Sequence, residues 1–228
     1  MKAIILAAGL GTRMGELTRH TPKPLLKLDE RTTLLEHNLL QLEGIADEVI
    51  IVVGYLREQI IGHIGTSYKG MKITYVIQKE QRGTGDALLA VREYDASAFT
   101  KKFILMMGDD LYVRRDIQKC LAFDDAILVQ KVADPSRFGV FVVNKQGIIT
   151  KAVEKPKAFV SELANAALYV FSDLAIFTFQ KTTRGEYEFT DLVKRIIKEK
   201  QVHAVSATMW IPIGTPEDLM KVRLTLSQ

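Results

Sequence analysis

The 228-residue sequence holds one cysteine (Cys120), one tryptophan and six prolines, and these scarcities exclude several classes of protein. A lone cysteine closes no intramolecular disulfide and offers a metal cluster no second thiolate. A reducing compartment, the cytoplasm, is therefore expected, with Cys120 assigned to helix packing. Apolar runs are short: residues 3–10 are interrupted by Gly9 and followed by Thr12 and Arg13, well below the ~20 residues that span a bilayer. No membrane partner is expected. Lys2 ahead of that run imitates a secretory signal, but the run reads equally as a buried parallel strand. The histidines His20, His37, His63 and His203 lack metal-ligand spacing, and no serine or cysteine motif marks a covalent nucleophile. Basic runs such as Lys101-Lys102 have no interleaved aromatics, so nucleic acid is not an expected partner.

What is present is an ordinary globular composition, 47% hydrophobic and 25% charged. The net charge of +4 is unevenly placed. Residues 1–28 carry five bases (Lys2, Arg13, Arg19, Lys23, Lys27) against Glu16, and residues 29–228 carry 26 against 26. Such an imbalance suits one anion site near the N-terminus rather than a basic coat.

Apolar runs at 2–7, 49–53, 73–77 and 103–107 read as strands, and helical spacing at 34–42, 85–93 and 115–123 separates them. Leu34, Leu35, Asn38, Leu39 and Leu42 share one helix face. Strand and helix in alternation predict an α/β fold: a mixed, mostly parallel sheet with helices on both faces. The second half reads as strands at 126–131, 138–143, 148–154 and 166–171 with some antiparallel pairing. Thr190 is expected to cap a helix over 191–200, and Pro216 to open a last one through Leu224. No linker or repeat divides the chain, so one domain is expected over 1–228.

The first strand runs into Leu6, Ala7, Ala8, Gly9, Leu10, Gly11, Thr12 and Arg13, a small-residue loop whose N–H groups can approach an anion. A simple glycine turn leaving a strand is the structural alternative. The dinucleotide fingerprint fails because its third glycine would be Met14, which disfavours an oxidoreductase, and no Walker lysine follows. Lys23 stands between Pro22 and Pro24, whose rings restrict the local backbone and hold the lysine in place.

These motifs together resemble the opening signature of the sugar-phosphate nucleotidylyltransferase family. Further matches run along almost the entire chain. The segment from Gln78 through Gly83, Thr84 and Gly85 is similar to the family's nucleobase segment, and the Gln78 amide suits the N3–H and O4 edge of uracil or thymine. Gly108-Asp109-Asp110 follows a strand, where open α/β sheets build sites. The resemblance makes Asp109 the Mg²⁺ ligand and leaves Asp110 a structural role. Phe138-Gly139, Glu154-Lys155-Pro156, Asn165 through Tyr169 and residues 185–191 resemble sugar-side segments, with Gly139, Glu154, Lys155 and Asn165 toward the sugar and the last stretch leading into a capped helix.

The family thus implies a nucleotide-diphospho-sugar transferase fold, with a nucleotide part over about 1–125 and a sugar part over about 126–228. It implies a reaction of a nucleoside triphosphate, UTP before dTTP, with glucose 1-phosphate or N-acetylglucosamine 1-phosphate. Arg13 is assigned to the departing pyrophosphate, and Lys23 to the α-phosphate and sugar phosphate. Two positions depart from the pattern. Pro212 stands where a second acidic or amide metal contact is usual, and Ala167 where glycine is usual. Pro212 keeps a second reading open, a non-catalytic nucleotide-sugar sensor or regulatory subunit. The chain ends soon after its last helix, so no left-handed β-helix and no acetyltransferase activity are expected. Oligomeric state is left open.

Overall fold

The computed structural model describes residues 1–80, 82–175, 181, 187 and 189–226. Its elements are β1 (Lys2–Ala7), α1 (Leu34–Leu42), β2 (Glu48–Val53), α2 (Arg57–Ile64), β3 (Ser67–Tyr68), β4 (Met71–Ile77), α3 (Thr84–Tyr94), β5 (Phe103–Met107), β6 (Asp110–Tyr112), α4 (Arg114–Leu121), β7 (Ala126–Lys131), β8 (Gly139–Val143), β9 (Ile149–Glu154), β10 (Leu163–Phe171), α5 (Phe189–Glu199), β11 (His203–Ser206), β12 (Trp210–Pro212) and α6 (Pro216–Leu226).

The main sheet follows the order β11-β7-β10-β5-β1-β2-β4-β3, with β8 joined to β10 and β9 to β8. Pairing is parallel through β5-β1-β2-β4 and antiparallel on both sides of β10. The strand period of two explains why the central strands are apolar throughout. In β1, Ala3, Ile5 and Ala7 enter a core with α1, α2 and α4. Ile4 and Leu6 enter another with α3 and α5. Helices therefore cover both faces, as expected. Cys120 faces the first core from α4, and burial pushes its thiol up to about 12, which fits a packing role. Among the described residues, no helix is long and apolar enough to cross a membrane.

The chain leaves β1 toward β2 on one side and later returns to β5 on the other, so the strand order reverses between β1 and β5. Open α/β sheets place ligands at the carboxyl ends of strands flanking such a point.

Five short or weakly apolar elements escape the sequence reading: α2, which buries only Ile60 and Ile64, and the strands β3, β6, β11 and β12, each of two to four residues. One expectation is corrected. Helix α5 begins at Phe189, ahead of Thr190, and the Thr190 hydroxyl donates to Glu154 Oε2 at 2.8 Å, so it does not serve as the cap. Residues 185, 186 and 188 of the same motif lie outside the described residues.

Strand β12 is brought to β6 by a buried carboxylate. Asp116 on α4 has a fully buried side chain, and it accepts from Thr208 N (2.6 Å), Met209 N (3.1 Å), Thr208 Oγ1 (2.7 Å) and Lys119 Nζ (2.9 Å). Burial alone would raise its pKa; the bonds from Thr208, Lys119 and the Met209 amide outweigh that and hold it below its ordinary 3.8. Register in β10 shifts between Asn165 and Tyr169, and Ala167 sits inside the shift with a left-handed φ of 53°.

These two features are testable by urea denaturation. Asp116→Ala removes an acceptor of four bonds and is expected to cost about 3 kcal/mol. Because the folded pKa is depressed, the advantage over Asp116→Asn should be full above about pH 5 and shrink as pH falls through the folded value. Ala167→Gly relieves a left-handed alanine worth about 1–2 kcal/mol, partly offset by glycine's greater unfolded-state freedom, for a net gain of about 1 kcal/mol.

Candidate active site

The loop after β1 turns at Gly11, whose φ is +66°, and passes into a 3-10 segment carrying Arg13. Pro22, at φ −65° and ψ 139°, then delivers Lys23 into a single 3-10 turn. The Lys23 side chain is 7% exposed, and its Nζ meets Asp109 Oδ2 at 2.5 Å. Asp109 arrives from the end of β5, so the switch point between β1 and β5 holds a half-buried ion pair.

Two clefts meet at that pair. The first, about 280 Å³, is lined by Leu6, Ala7, Ala8, Gly9, Gly11, Lys23, Gln78, Gly83, Thr84 and Asp109. The second, about 690 Å³, is lined by Arg13, Lys23, Thr84, Asp109, Asp110, Gly139, Glu154, Lys155 and Asn165, among others. Thr12 lines neither; it borders an adjoining recess with Gly9, Gly11, Arg13 and Lys23. Both volumes suit small-molecule sites.

In the first cleft, the Gln78 amide nitrogen donates to Asp86 Oδ2 (2.9 Å) and Gly83 O (3.2 Å). Both of its hydrogens are thus engaged, and only the amide oxygen is left to meet a base. This narrows the sequence reading, which gave Gln78 both roles. The adjacent turn is bound to Tyr187: Gly85 N donates to Tyr187 O at 2.8 Å, and Tyr187 N donates to Arg82 O at 2.7 Å. A Cβ on Gly83 or Gly85 would stand 2.6 or 2.7 Å from that same carbonyl, so the two glycines let this backbone close.

In the second cleft, Gly139 opens β8 opposite Glu154. Glu154 Oε2 lies 2.9 Å from where a Cβ on Gly139 would be, and it accepts from Thr190. Glycine therefore makes room for a carboxylate that Thr190 orients. Asn165 Oδ1 accepts from Ala167 N at 2.9 Å, and its amide nitrogen donates to Tyr169 Oη at 2.7 Å, so one N–H is left to a ligand. The Lys155 side chain is 67% exposed at the rim.

Asp109 is one-third exposed toward the clefts. Its neighbour Asp110 accepts from Trp210 Nε1 at 3.0 Å. Burial, then the Asp109 charge, push the Asp110 carboxyl up to about 7. Pro212 is paired directly across from Asp110 and brings no side-chain donor. Among the described residues, no cluster of three or more His, Cys, Asp or Glu side chains is placed to hold a metal. Asp109, one-third exposed where the two clefts meet, still fits a hard divalent cation whose other ligands are substrate and water oxygens.

Several lining residues were not singled out from the sequence. Arg137 immediately precedes the quoted Phe138-Gly139, and Asp218 accepts from Gly214 N, Thr215 N and Thr215 Oγ1. Trp210, the one tryptophan, stands two residues before Pro212. A polar residue beside a recognised motif was the available signal for the first two.

Comparison with known proteins places the chain in a family. The family described as nucleotidyl transferase matches residues 2–228. UTP–glucose-1-phosphate uridylyltransferase AglF of Haloferax volcanii is 37% identical, over 96% of this chain and 93% of its own length. The bifunctional protein GlmU of Methanocaldococcus jannaschii is 32% identical over 97% of this chain, which spans only 53% of that relative. A solved structure, a putative glucose-1-phosphate thymidylyltransferase from Bacillus anthracis, superposes with a TM-score of 0.85 at 25% identity, covering 99% of this chain and 94% of its own. The chain thus belongs to the nucleotidyl transferase family, among the sugar-phosphate nucleotidylyltransferases that its motifs resemble.

Proposed function

We propose that the protein joins a nucleoside triphosphate to a sugar 1-phosphate, giving a nucleotide-sugar and pyrophosphate. The observation that carries this is Lys23, a buried cation shared by both clefts. A phosphate at that point is in reach of a ligand in either cleft. The division into a nucleotide part (about 1–125) and a sugar part (about 126–228) within one domain follows the same layout, since the first cleft draws only on residues up to Asp109.

UTP is the favoured nucleotide, with dTTP second. The free Gln78 oxygen suits the N3–H of uracil or thymine, and the 37% identical relative is named for UTP and glucose 1-phosphate. Glucose 1-phosphate leads among sugars, followed by N-acetylglucosamine 1-phosphate, named by resemblance. The single buried Cys120 suits a cytoplasmic setting.

In the reaction, a sugar-phosphate oxygen attacks the α-phosphorus and the bond to the β-phosphate bridging oxygen breaks, releasing pyrophosphate. The attacking phosphate is already ionised at neutral pH, so no general base is needed and alignment with charge stabilisation governs the rate. Lys23 leaves Asp109 for the α-phosphate and sugar phosphate, Arg13 holds the departing pyrophosphate, and Glu154 and Asn165 orient sugar hydroxyls. Asp109 would hold Mg²⁺, which supplies charge neutralisation and alignment of phosphates when bound.

The second reading, a nucleotide-sugar sensor, rests on Pro212 facing Asp110 with no ligand atom in its side chain. A pyrophosphate-release assay over common nucleotides and sugar 1-phosphates, with and without Mg²⁺, separates the two. Turnover is expected with UTP and glucose 1-phosphate, whereas binding without turnover in every combination selects the sensor. Lys23→Ala is expected to lower kcat by about 10²–10³-fold with the fold retained. Near-normal kcat in that variant sinks the assignment of Lys23.

A further inference from the structure

Helix α1 buries a polar edge against the carboxylate corner. Asn38, on the otherwise apolar face, is 0% exposed. Its amide nitrogen donates to Met107 O (3.2 Å) and Asp110 O (2.8 Å), the two carbonyls that bracket Gly108 and Asp109. Asn38 Oδ1 has no partner among the described residues, so the residue serves this place through its donors. A flipped amide would set oxygen against oxygen, which fixes the assignment of the two atoms.

The neighbouring side chains continue the contact. His37 Nε2 meets Tyr112 O at 2.9 Å, and Gln41 Oε1 accepts from Arg114 N at 2.9 Å. Strand β6 is short and, among the described residues, pairs only with β12, so its other edge needs donors for the carbonyls of Asp110 and Tyr112. Asn38 and His37 provide them. Of these contacts, only Asn38's spans the turn that carries Asp109.

We propose that Asn38 is a positioning residue that fixes the direction of the Asp109 carboxylate toward the shared phosphate position. This rests on the proposed function for its purpose, although the restraint itself is visible without it. The aim of a carboxylate on a two-residue turn depends on the backbone at both ends, and a single NH₂ group holds both ends here. Partners of this kind, one bond removed from a metal or phosphate contact, change affinity or activity by about 10–100-fold when lost.

The test uses the full chain with Asn38→Leu, which keeps the volume roughly and removes the donors. Asn38→Ser, which leaves room for a water, covers the case that the leucine variant does not fold. Leu42→Ala, a buried change on the same helix, is the control for general loss of stability. Three quantities are read: the Mg²⁺ concentration that half-saturates its effect on UTP binding by calorimetry, kcat against KM, and hydrogen exchange at the amides of residues 108–110. In the Asn38 variants, the Mg²⁺ midpoint should rise and kcat fall by about 10–100-fold. KM for UTP should stay within about 3-fold and exchange at 108–110 should quicken about 10-fold or more, while the control leaves the midpoint and that exchange in place. Midpoint, kcat and local exchange all within about 2-fold of wild type, or an equal change in the control, overturn the proposal. A wild type without turnover would refute the proposed function, whereas exchange at 108–110, which needs no ligand, still decides the role of Asn38.

Discussion

The site depends on one buried contact between unlike charges. Lys23 is almost fully withdrawn from water, and an ammonium group so placed is strongly disfavoured without a partner. Asp109 provides that partner at 2.5 Å. The two residues arrive from different elements, one from a proline-held turn after β1 and the other from the end of β5. Their meeting therefore requires that β1 and β5 be parallel neighbours and that both loops leave the sheet at the same end. Asp109 keeps a third of its surface open, so the pair is tight enough to hold the site together and, under the proposed reaction, accessible enough for phosphate to take the lysine.

The scaffold under this pair is rigid because β1, β2 and β5 are buried on both sides. Alternate residues feed separate cores, and a one-residue slip would exchange every side chain between them. Site residues sit just beyond this region, where backbone groups leave the ladder and find other partners. Asn38 seals two carbonyls at the end of β5, Asp116 fixes the approach to β12, and Tyr187 closes the turn at Gly83 and Gly85. Each is a polar contact placed where regular hydrogen bonding stops.

That division also explains what the sequence revealed. Strands β1, β5 and β7 and helix α1 are bounded by the same residues in sequence and structure, because long apolar runs and a regular spacing carry them. Strands β6 and β12 are too short for any period to show, and α2 buries too little to look amphipathic. Among the described residues, the phosphate-loop residues, Lys23, Gln78, Gly83, Thr84, Asp109, Gly139, Glu154, Lys155 and Asn165 lie along one of three adjoining recesses. What spacing could not tell is how each polar group is already engaged. The Gln78 amide looks bifunctional until Asp86 and Gly83 take its hydrogens, and Thr190 looks like a helix cap until Glu154 receives its hydroxyl. Asn38 was visible as a helix position, and its presence on an apolar face was the mark of a further task.

The charge excess in residues 1–28 divides in a similar way. Lys2 pairs with Asp95 and Glu48, Arg19 lies near Glu16, and Lys27 reaches Glu30 O, so these three are engaged at the surface. Arg13 and Lys23 alone reach the second cleft, joined there by Arg137 and Lys155. Asp109, Asp110, Glu154 and Asp218 line the same cleft, so the formal charges of its side chains balance. A triphosphate and a sugar phosphate placed there would bring several negative charges that this balance does not offset. Under the proposed reaction, that deficit is the electrostatic case for a divalent cation entering with the nucleotide. It also gives the Lys23–Asp109 pair its purpose under that reaction: Asp109 would hold the cation, and Lys23 would be left to bind phosphate.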